Sequence, residues 1–471
     1  MTDLSLRVRI FLFLCLIGGG SVVVVAGALW FSYARAQDPV LLDPFVLAGL
    51  ISTLALLGLS LGIWRLFDEN VARPIDRLAA EMRTRTHADV SREITPELAK
   101  YLGDLAPAAA GLAGQLSASS LNTAEALAKE TRHLQRDRQA LSGLLSEIPV
   151  AVALINPDFR IVLYDKQTAS ILARLGTPRL NASLWDYLDP SDLGALHSQI
   201  EDGQTQARGK VRSASGAQEL TLTLKQLKNG EGHLLIFDDA QPDLEPQAER
   251  PLVFGFELMR RGLDPDLKKS PLNKLGFVVF DSETTGLLPH KDEIVQIGAV
   301  HVLNGALIAG DRFDALVDPG GPIPAASTKV HKITDAMVAG APDIGVVGQR
   351  LHAFAAGSVM VAHNAPFDFA FLRRHRKRMG VEWDTPILDT VLLSAVLFGV
   401  TEVHTLDALC TRLDVSIPAE LRHTAMGDAV GTAQVLCKML PILQARGFET
   451  LGDVIAASQK HRRLLDDLNP V

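Results

Sequence analysis

Two uncharged apolar runs near the start of the chain constrain its fold more than any other feature. Ile10 to Tyr33 contains 24 residues without a charge, and Pro44 to Trp64 contains 21. Each reaches the ~20 residues that a helix needs to cross a hydrocarbon core. Backbone groups in lipid must bond to one another, so both runs are expected as transmembrane helices, at about 10–33 and 44–64 within an anchor of residues 1–66. Arg7 and Arg9 precede the first run and Arg65, Arg73 and Arg77 follow the second, while the loop between them sets Arg35 against Asp38 and Asp43. The positive-inside bias then puts both ends of the pair in the cytoplasm. A multi-pass protein of the inner (cytoplasmic) membrane is the expectation, with everything after Arg65 cytoplasmic. An alternative takes the first run as a signal peptide cleaved after Ala34-Arg35-Ala36. The run exceeds the roughly 7–15 residues of a signal h-region, and the second helix would leave the rest of the chain cytoplasmic in either case.

The remaining length bounds the architecture. At roughly 100–200 residues per domain, 471 residues give about three units. A hydrophobic content of 47% against 21% charged residues excludes disorder as the dominant state. Lys plus Arg (46) against Asp plus Glu (54) gives −8, which excludes a generally basic coat and makes any nucleic-acid contact local. The three cysteines, Cys15, Cys410 and Cys437, form no C-x-x-C pair, so neither a zinc ribbon nor a disulfide framework is available.

Arg73-Pro74-Ile75-Asp76-Arg77-Leu78 follows the second run, with Pro placed to open a new helix and Ile75 and Leu78 starting an apolar stripe. This resembles the start of a HAMP linker, a helical relay behind membrane helices, over residues 67–118; an amphipathic juxtamembrane helix is the plainer alternative. Leu127, Leu134, Leu141 and Ile148 recur every seven residues, giving a coiled-coil-like helix at 119–145. A homodimer through residues 67–145 is one expectation, and Gly58-x-x-x-Gly62 offers a second small-residue face. From Ser146 the pattern changes to strand, turn, strand: Val150 to Ile155, Asn156-Pro157-Asp158, Arg160 to Tyr164, and a late strand within Gly232 to Asp239. Together these resemble a PAS domain, an α+β sensor module, at 146–240. It has no cysteine for a flavin adduct, and His197 and His233 are its candidate haem ligands. Its ligand is unassigned, and a ligand-free dimerisation module is the alternative. Residues 241–274 read as a linker and 446–471 as a C-terminal tail.

Residues 275–445 carry the chemistry. Leu275 to Phe280 is a β-rich run ending in Asp281-Ser282-Glu283-Thr284-Thr285-Gly286, which projects two carboxylates from one face at a strand end. Ile294 to Leu303 is a second strand, Asn304-Gly305 a hairpin turn, and Ala306 to Val317 a third strand. Helical segments from Asp343 to Ala356, a short strand Val359 to Ala362 and His363-Asn364-Ala365-Pro366-Phe367-Asp368 follow, with Pro366 suited to a first helical turn. His423-Thr424-Ala425-Met426-Gly427-Asp428 then leads into a helix to Leu440. Five residues of ideal helix would turn His423 and Asp428 about 140° apart, so His423 is expected just before the helix and Asp428 inside it.

Asp281-x-Glu283-Thr284-Thr285-Gly286, His363-Asn364-x-x-Phe367-Asp368 and His423-x-x-x-x-Asp428 resemble the DEDDh exonucleases, and are similar to the proofreading epsilon subunit of bacterial DNA polymerase III. The likeness extends to Val330 to Asp335, Asp389-Thr390 and Leu406 to Leu409, with Ser282 where that family has Thr. The fold class this implies is α/β: a ribonuclease H-like domain, a mixed sheet flanked by helices, behind the α+β PAS-like domain and the two-helix anchor. The resemblance also implies two divalent cations, Mg²⁺ or Mn²⁺, and hard oxygen ligands without a sulfur or multi-histidine cluster suit that choice. By the same resemblance Asp281 would bridge both cations, Glu283 and Asp428 would hold one, Asp368 the other, and His423 would be the general base. Thr284, Thr285, Gly286, Leu287, Asn364 and Phe367 would bind the 3′-terminal nucleotide. The implied reaction releases 5′-mononucleotides from single-stranded DNA 3′ ends, with RNA ends as an alternative substrate. A sensory or scaffold protein that only binds nucleic acid is the alternative from another class. No polymerising site is present, so any role in replication or repair would need a partner. Arg373 to Arg378 adds a basic run that is either a phosphate-contacting patch or a solvated helix face.

Overall fold

The computed structural model describes residues 6–36, 41–88, 150–227, 232–238, 253–255, 266–418 and 420–470, in an N-terminal helical unit and a larger α/β unit. The HAMP-like segment past residue 88, the coiled-coil-like helix at 119–145 and most of the linker at 241–274 lie outside the described residues.

In the helical unit, α1 (Leu6–Ala36) and α2 (Leu42–Phe67) pack antiparallel. Phe11 meets Trp64 with ring centroids 5.3 Å apart at one end, and Tyr33 meets Phe45 at 6.1 Å at the other. Both helices are long and apolar enough to cross a membrane. A Cβ on Gly18 would come within 2.7 Å of Ser60 Oγ, whereas one on Gly58 or Gly62 would meet nothing within 4 Å, so Gly18 rather than the Gly58-x-x-x-Gly62 face lies at this contact. The buried Asp68 carboxylate accepts from Arg7 Nε at 2.5 Å and Nη2 at 2.9 Å and from Arg73 Nε at 2.9 Å, clamping the start of α1 to the end of α2. Pro74 does not open a new helix. The chain runs on through a π-helical turn, Asp68–Ala72, into α3 (Arg73–Ala88). A proline removes one backbone donor and crowds the carbonyl four residues back, and a wider turn just before it relieves both conflicts.

The α/β unit contains two sheets. In the first, β1 (Ala151–Ile155), β2 (Ile161–Tyr164), β3 (Gln206–Arg212), β4 (Glu219–Gln226), β5 (His233–Phe237) and β6 (Val253–Phe254) run in the order β3-β4-β5-β1-β2-β6 with antiparallel neighbours. Between β2 and β3 lie α4 (Lys166–Leu175), whose cap Asp165 accepts from Thr168 N at 2.8 Å, and α5 (Pro190–Glu201), capped by Asp189. His197 and His233 stand with ring centroids 5.1 Å apart, and both rings pack on Phe159, which also stacks on Trp185. Burial pushes His233 below the usual imidazole range. Residues Val253–Phe254 fall in the expected linker but extend this sheet.

The second sheet has the order β11-β10-β7-β8-β9, from β7 (Gly276–Thr284), β8 (Ile294–Leu303), β9 (Ala306–Leu316), β10 (Val359–Ala362) and β11 (Ile387–Asp389). The first three strands are antiparallel, and β10 joins β7 and β11 in parallel. Asn304 and Gly305 both have positive φ, as a two-residue hairpin turn requires. Helices α6 (Ala325–His331), α7 (Asp335–Val338), α8 (Ile344–Ala355), α9 (Ala365–Met379), α10 (Thr390–Phe398), α11 (Leu406–Leu413), α12 (Ala425–Ala445) and α13 (Leu451–Gln459) complete it. Side chains alternate across β7: Phe277 and Val279 enter a core shared with α12, and Val278 and Phe280 enter a second core shared with α8 and α9. The expected tail from 446 gives way to α13, whose Leu451, Val454 and Ile455 are buried in the α12 core behind a Thr450–Asp453 capping box. Leu272, in the expected linker, is buried in the same core, and its N–H bonds Glu449 O at 3.0 Å.

The two sheets are joined at the β8–β9 hairpin. Leu303 and Ile308 pack into the core of the first sheet. The buried Asp311 of β9 accepts from Tyr164 Oη at 3.0 Å and Leu180 N at 3.2 Å, and His301 Nδ1 lies 3.0 Å away. Burial and Asp311 push the Tyr164 phenol well above its usual range, which keeps it a donor. Asp311→Ala strands two buried donors, each costing about 1–3 kcal/mol. The expected result is a loss of about 2–5 kcal/mol in urea unfolding of the full chain; an unaltered midpoint would show that the joint is not carried by Asp311.

Candidate active site

The carboxylates converge because the two faces of β7 carry different neighbours. Asp281 and Glu283 lie on the face toward α12, whose first turn bears Asp428. One oxygen from each of these three residues lies within 4.8 Å of the others. Ser282 points the opposite way, toward α9, and its hydroxyl donates to Asp368 Oδ1 at 2.5 Å. Asp368 is 3% exposed and stands in the first turn of α9, beside the group of three rather than inside it. The serine that departs from the family pattern therefore orients the fourth carboxylate.

Gly298 allows α12 to come this close, and Gly427 allows the Leu421–Thr424 turn to fold onto its first turn. Gly298 of β8 is paired with Asp281, and a Cβ there would lie 2.4 Å from Met426 N and 2.5 Å from Ala425 C. Gly427 lies so near the Leu421 carbonyl that a Cβ would sit 1.8 Å from it. Thr424 closes the same turn, donating to Leu421 O at 2.7 Å and accepting from Gly427 N at 3.0 Å. His423 is exposed just before α12, in the left-handed region at φ 59°, and its backbone N–H bonds Asp428. The spacing argument thus anticipates the arrangement: His423 outside the helix and Asp428 inside it.

Charge is the dominant property of this cleft. Burial first, then Asp368, Asp428 and Glu283, hold the Asp281 carboxyl well above the usual carboxylate range. Burial, then Asp428 and Asp368, push Glu283 up to about 8, and burial pushes Asp368 up to about 7. Asp428 is also raised by burial, against the opposing pull of His423. Like charges gathered in a half-buried cleft are costly unless a cation shares them. The donor set is all hard oxygen, which fits a divalent cation of the Mg²⁺ or Mn²⁺ type.

The remaining sequence candidates stand at the end of β7, on the loop after it and at the start of α9. Thr284 Oγ1 donates to Gly286 O at 2.7 Å, Thr285 exchanges bonds with the Glu293 backbone through its N–H (2.8 Å) and Oγ1 (3.0 Å), and Thr285 O accepts from Ser327 Oγ at 2.7 Å. Leu287 is 80% exposed at the tip of this loop. Asn364 takes a left-handed turn at φ 66° to start α9 with its side chain exposed, and Phe367 packs edge-on to Phe371. Behind them Asp389 accepts from Ala365 N at 2.6 Å and Val391 N at 2.7 Å, and His363 Nδ1 lies 2.8 Å from Thr390 Oγ1. Burial holds His363 down to about 4.

The basic run on α9 is an exposed helix face, as one of the two sequence alternatives has it, with only His375 buried, and some of its cations also pair within the chain. Arg374 donates to Pro289 O and Asp292 O, each at 2.7 Å, and to Glu293 Oε1. Arg378 bonds Asp343 at 3.0 Å, Arg376 lies 3.8 Å from Glu382, and Arg373 lies over the Phe369 ring. Arg374 and Arg378 are hydrogen-bonded within the chain while remaining at its surface. A cation on a helix and carbonyls in a distant loop carry no mutual periodicity, so the pairing leaves no pattern in the sequence.

Residues 278–436 match the family model described as an exonuclease, RNase_T. A DNA polymerase III subunit epsilon-like protein of Rhodobacter capsulatus is 32% identical, with 100% of both chains covered. The PolC-type DNA polymerase III of Caldanaerobacter subterraneus subsp. tengcongensis is 39% identical over 178 residues, 38% of this chain and 12% of that protein, so the chain spans about an eighth of that relative's length. Among solved structures, exonuclease X in complex with 5′ overhanging duplex DNA is 28% identical with a TM-score of 0.31, covering 39% of this chain and 99% of that one. E. coli exonuclease I with a dT13 oligonucleotide is 17% identical, with a TM-score of 0.33 and coverage of 37% and 43%.

Proposed function

Because the chain belongs to the DNA polymerase III subunit epsilon-like family and is a 3′-5′ exonuclease, we propose that it works at a membrane, removing 5′-mononucleotides from single-stranded DNA ends. The observation that carries this reading is the convergence of Asp281, Glu283 and Asp428 within 4.8 Å, with Asp368 beside them. These four carboxylates would hold two divalent cations. When bound there, the cations supply acidity to water and positive charge for the leaving oxyanion. His423 takes the proton from the attacking water, a role supported by its exposed position one turn from Asp428. Backbone groups of Thr285, Gly286 and Leu287 hold the terminal nucleotide, with Thr284, Asn364 and Phe367 shaping the walls.

The same reading takes α1 and α2 as a membrane anchor. Leu16, Val23, Trp30, Leu54 and Leu61 are all more than half exposed on these helices, a surface that lipid would cover. It takes the first sheet as a PAS-like domain, supported by its α+β build, and the exonuclease domain as running from about 266 through α13.

The test uses the full chain in detergent micelles with 3′- and 5′-labelled single-stranded DNA and RNA, with and without Mg²⁺ or Mn²⁺. Cation-dependent shortening from the 3′ end, faster on DNA, is the expected result; binding without hydrolysis under either cation would overturn it. In the same assay His423→Ala is expected to lower kcat by about 10²–10⁴ with KM little altered, the range for loss of a general base. Near-normal turnover would remove His423 from that role.

A further inference from the structure

The loop that follows the catalytic strand is closed on itself and then fastened from outside. Thr285 and Glu293 pair through backbone and hydroxyl, and the Asp292 carboxylate accepts from Leu288 N at 2.8 Å, so residues 285–293 form a ring. Its near end continues β7, where Ser282 bonds Asp368 and Ser327 bonds Thr285 O, but its far side, at 289–293, needs a separate tie to α9, which bears Asp368. Arg374 supplies that connection. Six residues after Asp368 on the same helix, its guanidinium takes Pro289 O and Asp292 O at 2.7 Å and Glu293 Oε1, while the neighbouring His375 Nε2 lies 2.9 Å from Glu293 Oε2. A planar fork with five donors can hold two carbonyls and a carboxylate together; an ammonium cannot reproduce that geometry.

We propose that Arg374, acting through the 285–293 loop, is a positioning residue that sets how the 3′-terminal nucleotide is held against the carboxylates. The inference rests on the reading of Thr285, Gly286 and Leu287 as the nucleotide-holding segment. Its consequence is a separation of roles within one basic run: Arg374 serves substrate binding without touching a phosphate. A direct phosphate contact would lower the salt slope of binding by about one when removed, and a residue acting through the loop leaves that slope unaltered.

The experiment compares the full chain in detergent with Arg374→Ala, Arg374→Lys, Glu293→Ala, the Arg374→Ala/Glu293→Ala pair and Arg376→Ala, on a 3′-labelled single-stranded DNA oligonucleotide with Mn²⁺ across a salt series. Arg374→Ala is expected to raise KM about tenfold with a smaller fall in kcat and an unaltered salt slope. Arg374→Lys recovers little, the double variant is no worse than Arg374→Ala alone, and Arg376→Ala matches the parent. Normal KM in Arg374→Ala, or a salt slope reduced by about one, overturns the inference while hydrolysis by the parent chain upholds the functional reading. A parent chain that hydrolyses nothing overturns the functional reading, and the inference falls with it.

Discussion

Asp281→Asn is expected to abolish hydrolysis and, in the cation-free protein at pH 8, to raise thermal stability. The loss follows from its place with Glu283 and Asp428 in the group of three. A neutral amide can neither share a cation's charge nor replace the missing electrostatic stabilisation, and several kcal/mol of barrier corresponds to a fall of at least about 10³-fold. The gain follows from the charges. Glu283 at about 8, Asp368 at about 7, and Asp281 and Asp428 raised in the same direction all titrate higher in the folded chain than unfolded. The folded state then binds more protons than the unfolded one, so stability falls as pH rises from the ordinary carboxylate range near 4 to about 8. Removing one carboxylate relieves that repulsion where it is greatest. A gain of about 1–2 kcal/mol, with a flatter pH profile, is the size expected when a functional site gives up its strain. Mn²⁺ should raise the melting temperature of the parent chain more than that of the variant. A variant that melts lower than the parent at pH 8 without cations would mean that Asp281 holds the fold rather than the cation.

The features legible in the sequence are those with a local rule. Asp281 and Glu283 at i and i+2 on a strand, Asn304-Gly305 between two strands, and His423 placed before a helix that contains Asp428 all follow from periods and turn chemistry. The α13 segment had such a signal too: Thr450-x-x-Asp453 with Leu451, Val454 and Ile455 around it is a capping box with an apolar stripe. The joint at Asp311 had none. An aspartate in Gly310-Asp311-Arg312 reads as the solvent side of an edge strand, and it is buried only because Tyr164 and Leu180, more than a hundred residues earlier, supply its donors. Arg374 is the same case on a helix. Polar contacts of long sequence separation are chosen by the fold, and their residue types alone do not announce them.

Gly298→Ala separates the presence of the catalytic side chains from their convergence. It leaves Asp281, Glu283, Asp368, His423 and Asp428 untouched, yet the new methyl meets Met426 N, Ala425 C and Ala425 O at 2.4–2.6 Å. All three are backbone atoms, which cannot rotate away, so the first turn of α12 must move back from β8. Asp428 lies two residues beyond Met426 and moves with it. A displacement of about 1 Å at a reacting centre costs on the order of 10²-fold in rate, and overpacking a well-filled contact costs about 1–3 kcal/mol. Both losses are expected together, read as kcat with Mn²⁺ and as an unfolding midpoint in urea. Gly194→Ala is the contrast: within α5, with nothing within 4 Å of its Cβ, it should gain about 0.5–1 kcal/mol and leave cleavage unaltered. Normal cleavage by Gly298→Ala would mean that α12 tolerates the shift, and the closeness of strand and helix at this point would not be what brings Asp428 to Asp281.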